Sequence, residues 1–131
     1  MKHLSEEQVS GLRHTLSEQR QSLRDEIRAE LLRSDEEQYG ELAGQVHDAG
    51  DESVADLLAD ANVTTVSRLI GELREAEAAL QRMDTGVYGL CEECDTEIPF
   101  ERLEAYPTAR RCLEHQRRHE QSYAGGGRPT L

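Results

Sequence analysis

CEECDTEIPFERLEAYPTARRCLEH, residues 91–115, opens on one pair of metal-type ligands and closes on another. The spacing is Cys91-x2-Cys94, seventeen residues, then Cys112-x2-His115. Two such pairs at this separation can close a tetrahedron round one Zn²⁺. Four protein ligands leave no vacant position, so the metal is expected to be structural and not a Lewis acid. All three cysteines of the chain are used, which leaves no thiol for a disulfide. The competing reading is three buried thiols without metal, and His119, one turn beyond His115, is the rival for the fourth position.

Upstream of this segment no proline occurs before Pro99. Ser5-Glu6-Glu7-Gln8 has the form of a capping box, with Ser5 as N-cap and Gln8 reaching back. Val9, Leu12, Leu16, Leu23, Ile27, Leu31, Leu42 and Val46 then mark one helical face. That helix is expected to run to about His47, with Arg33-Ser34-Asp35-Glu36-Glu37 as a place to fray or bend. Asp48-Ala49-Gly50-Asp51 is a turn signal. A second helix restarts at Asp51–Ser53, capped by Asp51 or by a Ser53–Asp56 box. Its seam is Val66, Leu69, Leu73, Ala76, Leu80 and Met83, and Gly86 stops it.

A short connection folds the two helices back antiparallel. The second is about 50 Å long at 1.5 Å per residue, so residues 5–14 must run past the hairpin base beside the zinc lobe. A third helix is expected from Ala109 to about Tyr123, with Thr108 as N-cap and with Cys112 and His115 on one face. The predicted fold is all-α: a long antiparallel two-helix coiled-coil hairpin, a small zinc-finger lobe and a C-terminal helix. The corresponding division is a hairpin over 1–85 with its tip near 47–53, a zinc lobe with C-terminal helix over 86–124, and a flexible tail over 125–131.

Composition agrees with a rod and a stapled lobe. One Phe, no Trp and 36% hydrophobic residues are lean for a large core, whereas 32% charged residues suit a two-helix seam. The net charge is −12. Residues 1–85 hold 9 basic and 19 acidic side chains, and residues 86–131 hold 6 and 8. An acidic hairpin is a poor ligand for a phosphate backbone, so direct sequence-specific DNA binding is not expected. No apolar run is long enough to span a bilayer, and no apolar signal core follows Met1. With three reduced thiols, the expected compartment is the cytoplasm.

The segment Tyr88-Gly89-Leu90-Cys91-Glu92-Glu93-Cys94, then Ile98-Pro99, Arg102-Leu103-Glu104-Ala105, Pro107-Thr108-Ala109 and Cys112, resembles the DksA/TraR zinc-finger family. The resemblance implies a non-enzymatic transcription regulator. Such factors are similar in shape to the Gre factors and insert a coiled coil into the secondary channel of bacterial RNA polymerase. The family's tip motif, Asp-x-x-Asp-x-Ala, is matched at Asp48 and Asp51, with Ser53 in the place of the alanine. The resemblance thus implies that these three residues form the polymerase-acting tip; by themselves they read as turn and capping residues. Histidine stands at 115 where the family usually has cysteine, and Asp95 stands where glycine is common. Glu75, Tyr106 and Gln116 occupy places that are basic in alarmone-responsive members, which implies weak or absent ppGpp dependence. A monomer is expected.

Two other readings use the same residues. One is a zinc-stabilised coiled-coil adaptor for another protein, and the other is a redox or zinc sensor whose thiolates release metal on oxidation. No nucleophile–base arrangement and no phosphate loop points to an enzyme.

Overall fold

In a computed structural model of the chain, residues 3–33, 37–59 and 66–126 are described. Among them are six helices, no strand and one isolated β-bridge, Leu90 with Glu97. The helices are α1 (Glu6–Leu32), α2 (Glu37–Asp48), α3 (Val54–Ala59), α4 (Ser67–Thr85), α5 (Phe100–Ala105) and α6 (Leu113–Gly126).

The capping box forms as the sequence dictates. Ser5 Oγ accepts from the Gln8 N–H at 3.0 Å, and the Ser5 N–H donates to Gln8 Oε1 at 2.9 Å. Glu6 and Glu7 in the first turn favour the positive end of the helix dipole. The apolar face of α1 (Leu12, Leu16, Leu23, Ile27, Leu31) is buried against Leu69, Leu73, Ala76, Leu80 and Met83 of α4. The two helices run antiparallel. Arg13 meets Asp84 at 3.2 Å near one end, and Arg24 lies 3.9 Å from Glu77 farther along. Gly86 ends α4 in the left-handed conformation (φ 82°), as its position predicts.

Between the two long helices the chain departs from a simple hairpin. The helical run does not continue to His47: α1 ends at Leu32 and α2 packs back along it. The second helix is likewise divided, into α3 and α4. The turn at 48–53 therefore lies against the middle of the α1–α4 pair, with Arg24 bonded to the carbonyls of Gly50 and Glu52. A tip at 47–53, at the far end of two uninterrupted helices, is not what these contacts describe. The physical reason is burial. Folded back, Ala43 and Val46 of α2 and Val54 and Leu58 of α3 share one core with Leu23, Ile27, Leu31 and Leu73. In a bare two-helix extension each would keep one flank in water. Residues 34–36, part of the stretch expected to bend, and 60–65 lie outside the described residues.

A second core joins the base of the helix pair to the lobe: Leu4, Leu12, Leu16, Leu80 and Met83 pack with Tyr88, Ile98 and Leu103. The start of α1 thus runs beside the lobe, as the register of the seam requires. The lobe also contains α5, which the sequence reading does not anticipate, and α6 begins at Leu113 and not at Ala109. The expected flexible tail falls partly in α6, and residues 127–131 lie outside the described residues.

Candidate functional site

The first knuckle is a tight turn held by backbone bonds. The Cys91 N–H donates to Thr96 O at 2.8 Å, Asp95 N–H to Cys91 O at 2.9 Å, and Ile98 N–H to Gly89 O at 2.7 Å. The turn needs a left-handed residue, and Asp95 supplies it at φ 59°. Gly89 (φ +86°) is required twice over, because a Cβ there would lie 3.1 Å from His3 Cε1 and 3.2 Å from Leu4 Cδ1. The second knuckle is the entry to α6. Cys112 stands just before the helix, its carbonyl accepting from the Gln116 N–H at 2.9 Å, and His115 lies in the first turn. Arg111 ties the knuckles together, reaching Glu92 at 3.0 Å and Glu93 at 3.1 Å, while the Glu92 N–H donates to Arg110 O at 2.8 Å. Below them Tyr88, fully buried, donates its hydroxyl to Pro107 O at 2.8 Å.

The ligand atoms of Cys91, Cys94, Cys112 and His115 all lie within 4.8 Å of one another. A tetrahedron with Zn–S of about 2.3 Å and Zn–N of about 2.0 Å has S···S edges of about 3.8 Å and S···N edges of about 3.5 Å. Cys94 Sγ is 3.8 Å from Cys112 Sγ, and His115 Nδ1 is 3.8 Å from Cys91 Sγ and 3.1 Å from Cys112 Sγ. The donor set therefore fits one structural zinc. Its electrostatics agree. Burial acts to raise the Cys91 thiol, but the N–H groups of Cys112, Glu93 and Cys94 outweigh it and bring it down to about 7. Cys112 is lowered by the His115 N–H, yet desolvation and the sulfurs of Cys91 and Cys94 push it up on balance. Crowded sulfurs that resist ionising together are what a divalent cation relieves.

The predicted tip residues come together on one turn. Asp48 ends α2, Gly50 has φ 61°, and Asp48 and Asp51 are exposed, whereas Ser53 is half-buried. Ser53 Oγ accepts from the Asp56 N–H at 3.1 Å, which makes Ser53 the cap of α3. The same hydroxyl donates to Glu77 Oε1 at 2.9 Å, and Glu77 Oε2 accepts from the Val54 N–H at 3.0 Å. Arg24, 6% exposed, completes this set. Burial lowers its pKa, reinforced by Arg20 and opposed by Glu77 and Asp51. The Arg24–Glu77 pair went unpredicted. Its one sequence signal is a charged residue at the edge of the arc marked by Leu23, Ile27 and Leu31.

Glu75, Tyr106 and Gln116 line one cleft of about 620 Å³ between α4, the lobe and α6, together with Arg102, Arg110, Arg111, Arg117 and His119. Several of these cations are engaged within the chain. Arg110 meets Glu75 at 2.5 Å, Arg111 holds Glu92 and Glu93, and Arg102 lies 5.9 Å over the Tyr106 ring.

Comparison with known proteins places these features in a family. The model of the prokaryotic dksA/traR C4-type zinc finger matches residues 86–121. General stress protein 16O of Bacillus subtilis is 39% identical over 116 residues, covering 86% of this chain and 69% of that protein. RNA polymerase-binding transcription factor DksA of Caulobacter vibrioides is 33% identical over 89 residues, covering 68% of this chain and 58% of that protein. The solved structure of transcription factor DksA2 from Pseudomonas aeruginosa aligns with a TM-score of 0.58 at 28% identity, over 89% of this chain and 86% of that one. His115 stands where a four-cysteine pattern has a sulfur, and its ring nitrogen lies within 4.8 Å of the three sulfurs. The all-helical fold, the zinc knuckles and this similarity along most of the chain lead to one conclusion: the chain belongs to the DksA/TraR zinc-finger family.

Proposed function

We propose that this protein is a non-enzymatic regulator that binds bacterial RNA polymerase through its secondary channel and modulates initiation, acting in the cytoplasm as a monomer. Cys91, Cys94, Cys112 and His115 hold the zinc, which supplies a fixed corner to a lobe with little core of its own. The zinc lobe (86–124) docks at the channel rim, and the helical arm (1–85) carries Asp48, Asp51 and Ser53 toward the catalytic centre. There the two exposed carboxylates bias basic or mobile elements of the enzyme by charge alone. The observation that carries this reading is the exposed Asp48–Asp51 turn on an acidic helical arm, in a chain similar to a named RNA polymerase-binding factor.

The cleft behind the lobe refines it. A polyphosphate nucleotide needs free, convergent Arg or Lys donors. The Glu75 carboxylate already takes Arg110, so the reading includes weak or absent ppGpp dependence. In vitro transcription from a ribosomal RNA promoter tests the core of the proposal. The wild type should change output, and Asp48→Asn/Asp51→Asn should bind polymerase at similar affinity and change it much less. Failure of the wild type to bind at micromolar concentration would end the polymerase reading.

A further inference from the structure

A groove of about 480 Å³ lies between the first turns of α1 and the short helix α5, on residues that neither the zinc site nor the tip uses. Its α1 wall is the row Glu7, Gly11 and Thr15, each one turn beyond the last, and Phe100 and Glu104 stand one turn apart on α5. Leu12 and the half-buried Phe100 form the floor, where both pack into the core that joins the helix bases to the lobe. The lining holds two carboxylates and no cation. Glu7 and Glu104 are exposed, and neither pairs with a cation among the described residues. The cations that follow on the same helices are engaged elsewhere: Arg13 with Asp84, His14 with Glu18 and Arg102 over the Tyr106 ring.

Gly11 is the residue of this groove that the fold alone does not explain. It stands exposed in the interior of a 27-residue helix, and a Cβ there would meet nothing within 4 Å. Glycine weakens a helix interior relative to alanine, and here no turn, positive φ or internal contact requires it. Gly40, Gly44 and Gly71 are open in the same way, but Gly11 borders an apolar floor flanked by carboxylates. A bare backbone at such a place lets another chain come close.

We infer that this groove docks a basic amphipathic helix of a partner protein. The helix lays its apolar stripe on Leu12 and Phe100, brings its backbone over Gly11, and sets Lys or Arg side chains against Glu7 and Glu104. The two carboxylates stand on different helices, so they bracket the groove and select the charge of what enters it. An acidic helix of the same shape would face both of them unpaired, and is rejected. The walls are fixed in advance, because Leu12 and Phe100 belong to a packed core. The groove requires nothing of the tip or of the polymerase, and stands whether or not the proposed function does.

The test is fluorescence anisotropy of a labelled leucine–lysine peptide of about 14 residues, with its leucines at helical spacing, titrated with the full zinc-loaded chain. A twin peptide with glutamate for lysine is the control. The wild type should bind the lysine peptide and not its twin. Gly11→Gln, which fills the groove, should weaken binding by about tenfold or more. Glu7→Gln/Glu104→Gln should weaken it by about fivefold. Glu26→Gln/Glu41→Gln, which removes the same charge from exposed positions elsewhere, should leave it unchanged. Gly11→Ala should raise the midpoint of urea unfolding and yet lower affinity for the peptide, whereas a purely structural glycine would lose stability. Zinc content and far-ultraviolet circular dichroism verify that each variant is folded. Unchanged affinity in Gly11→Gln, or an equal loss in Glu26→Gln/Glu41→Gln, overturns the inference, since the peptide would then be answering the net charge of −12 and not a groove. Absence of wild-type binding below about 1 mM overturns it as well. Self-association that Gly11→Gln abolishes would give the groove to a second copy of the chain, and spermine binding with the same variant dependence would give it to a polyamine; either overturns the basic helix as occupant.

Discussion

His115 presents Nδ1 to the sulfurs of Cys91 and Cys112, which leaves Nε2 to carry the ring proton. A neutral imidazole in place of a thiolate lowers the charge of the donor set but keeps four ligands. His115→Cys should therefore retain one zinc per chain. His115→Ala should weaken zinc binding by more than the roughly 10–100-fold typical of losing an outer hydrogen-bond partner. His119→Ala should leave affinity unchanged, because His119 is not among the four converging residues. Competition with a chromophoric chelator measures all three, and a large loss in His119→Ala would move the fourth ligand. These ligands were legible in the sequence because each pair is local and its spacing alone brings it together. Arg24 and Glu77 were not legible as a pair. Their partners are the carbonyls of Gly50 and Glu52 and the Ser53 hydroxyl, and a fold-back between distant parts of the chain is what gathers them.

At the scale of elements, periodicity identified faces correctly and boundaries poorly. The stripes of α1 and α4 are buried where expected, since a 3.6-residue repeat states which side meets a neighbour. It does not state how many neighbours there are. The faces of α2 and α3 carry the same repeat whether they meet each other or the α1–α4 pair, and tertiary burial decides. The entry to α6 was misplaced for a related reason. Thr108 is a plausible cap by type, but Glu92 N–H takes the Arg110 carbonyl and holds that segment out of the helix. Leu73 is the sharpest probe of the shared core, being fully buried where α1, α3 and α4 meet. Leu73→Ala should lower unfolding free energy by about 2–5 kcal/mol in urea titration. Leu32→Ala, at a side chain 53% exposed, should change it by less than about 0.5 kcal/mol. Equal effects would mean that α1 and α4 are not packed in this register.

The whole molecule has two cores on one pair of long helices. One gathers α1 to α4 at the arm, and the other joins the helix bases to Tyr88, Ile98 and Leu103 of the lobe. Only the second depends on the metal site, because Cys91 and Arg111 set the turn on which Tyr88 and Ile98 are mounted. The first closes without any residue of the lobe. Zinc binding to such a site is folding free energy for the segment that builds it. Removal of zinc by a chelator should therefore raise amide hydrogen exchange over residues 88–116 and, through lost packing on Leu4, Leu12 and Leu16, in the first turns of α1. Protection should persist at Leu23–Leu31 and Leu69–Ala76, where local opening is governed by the arm's own core. Loss of protection along the entire chain at the same rate would show a single cooperative unit, with the metal holding the arm as well as the lobe. Retained arm protection would instead establish the arm as a body that keeps its fold while the lobe loosens, which is the mechanical independence that the proposed function would require.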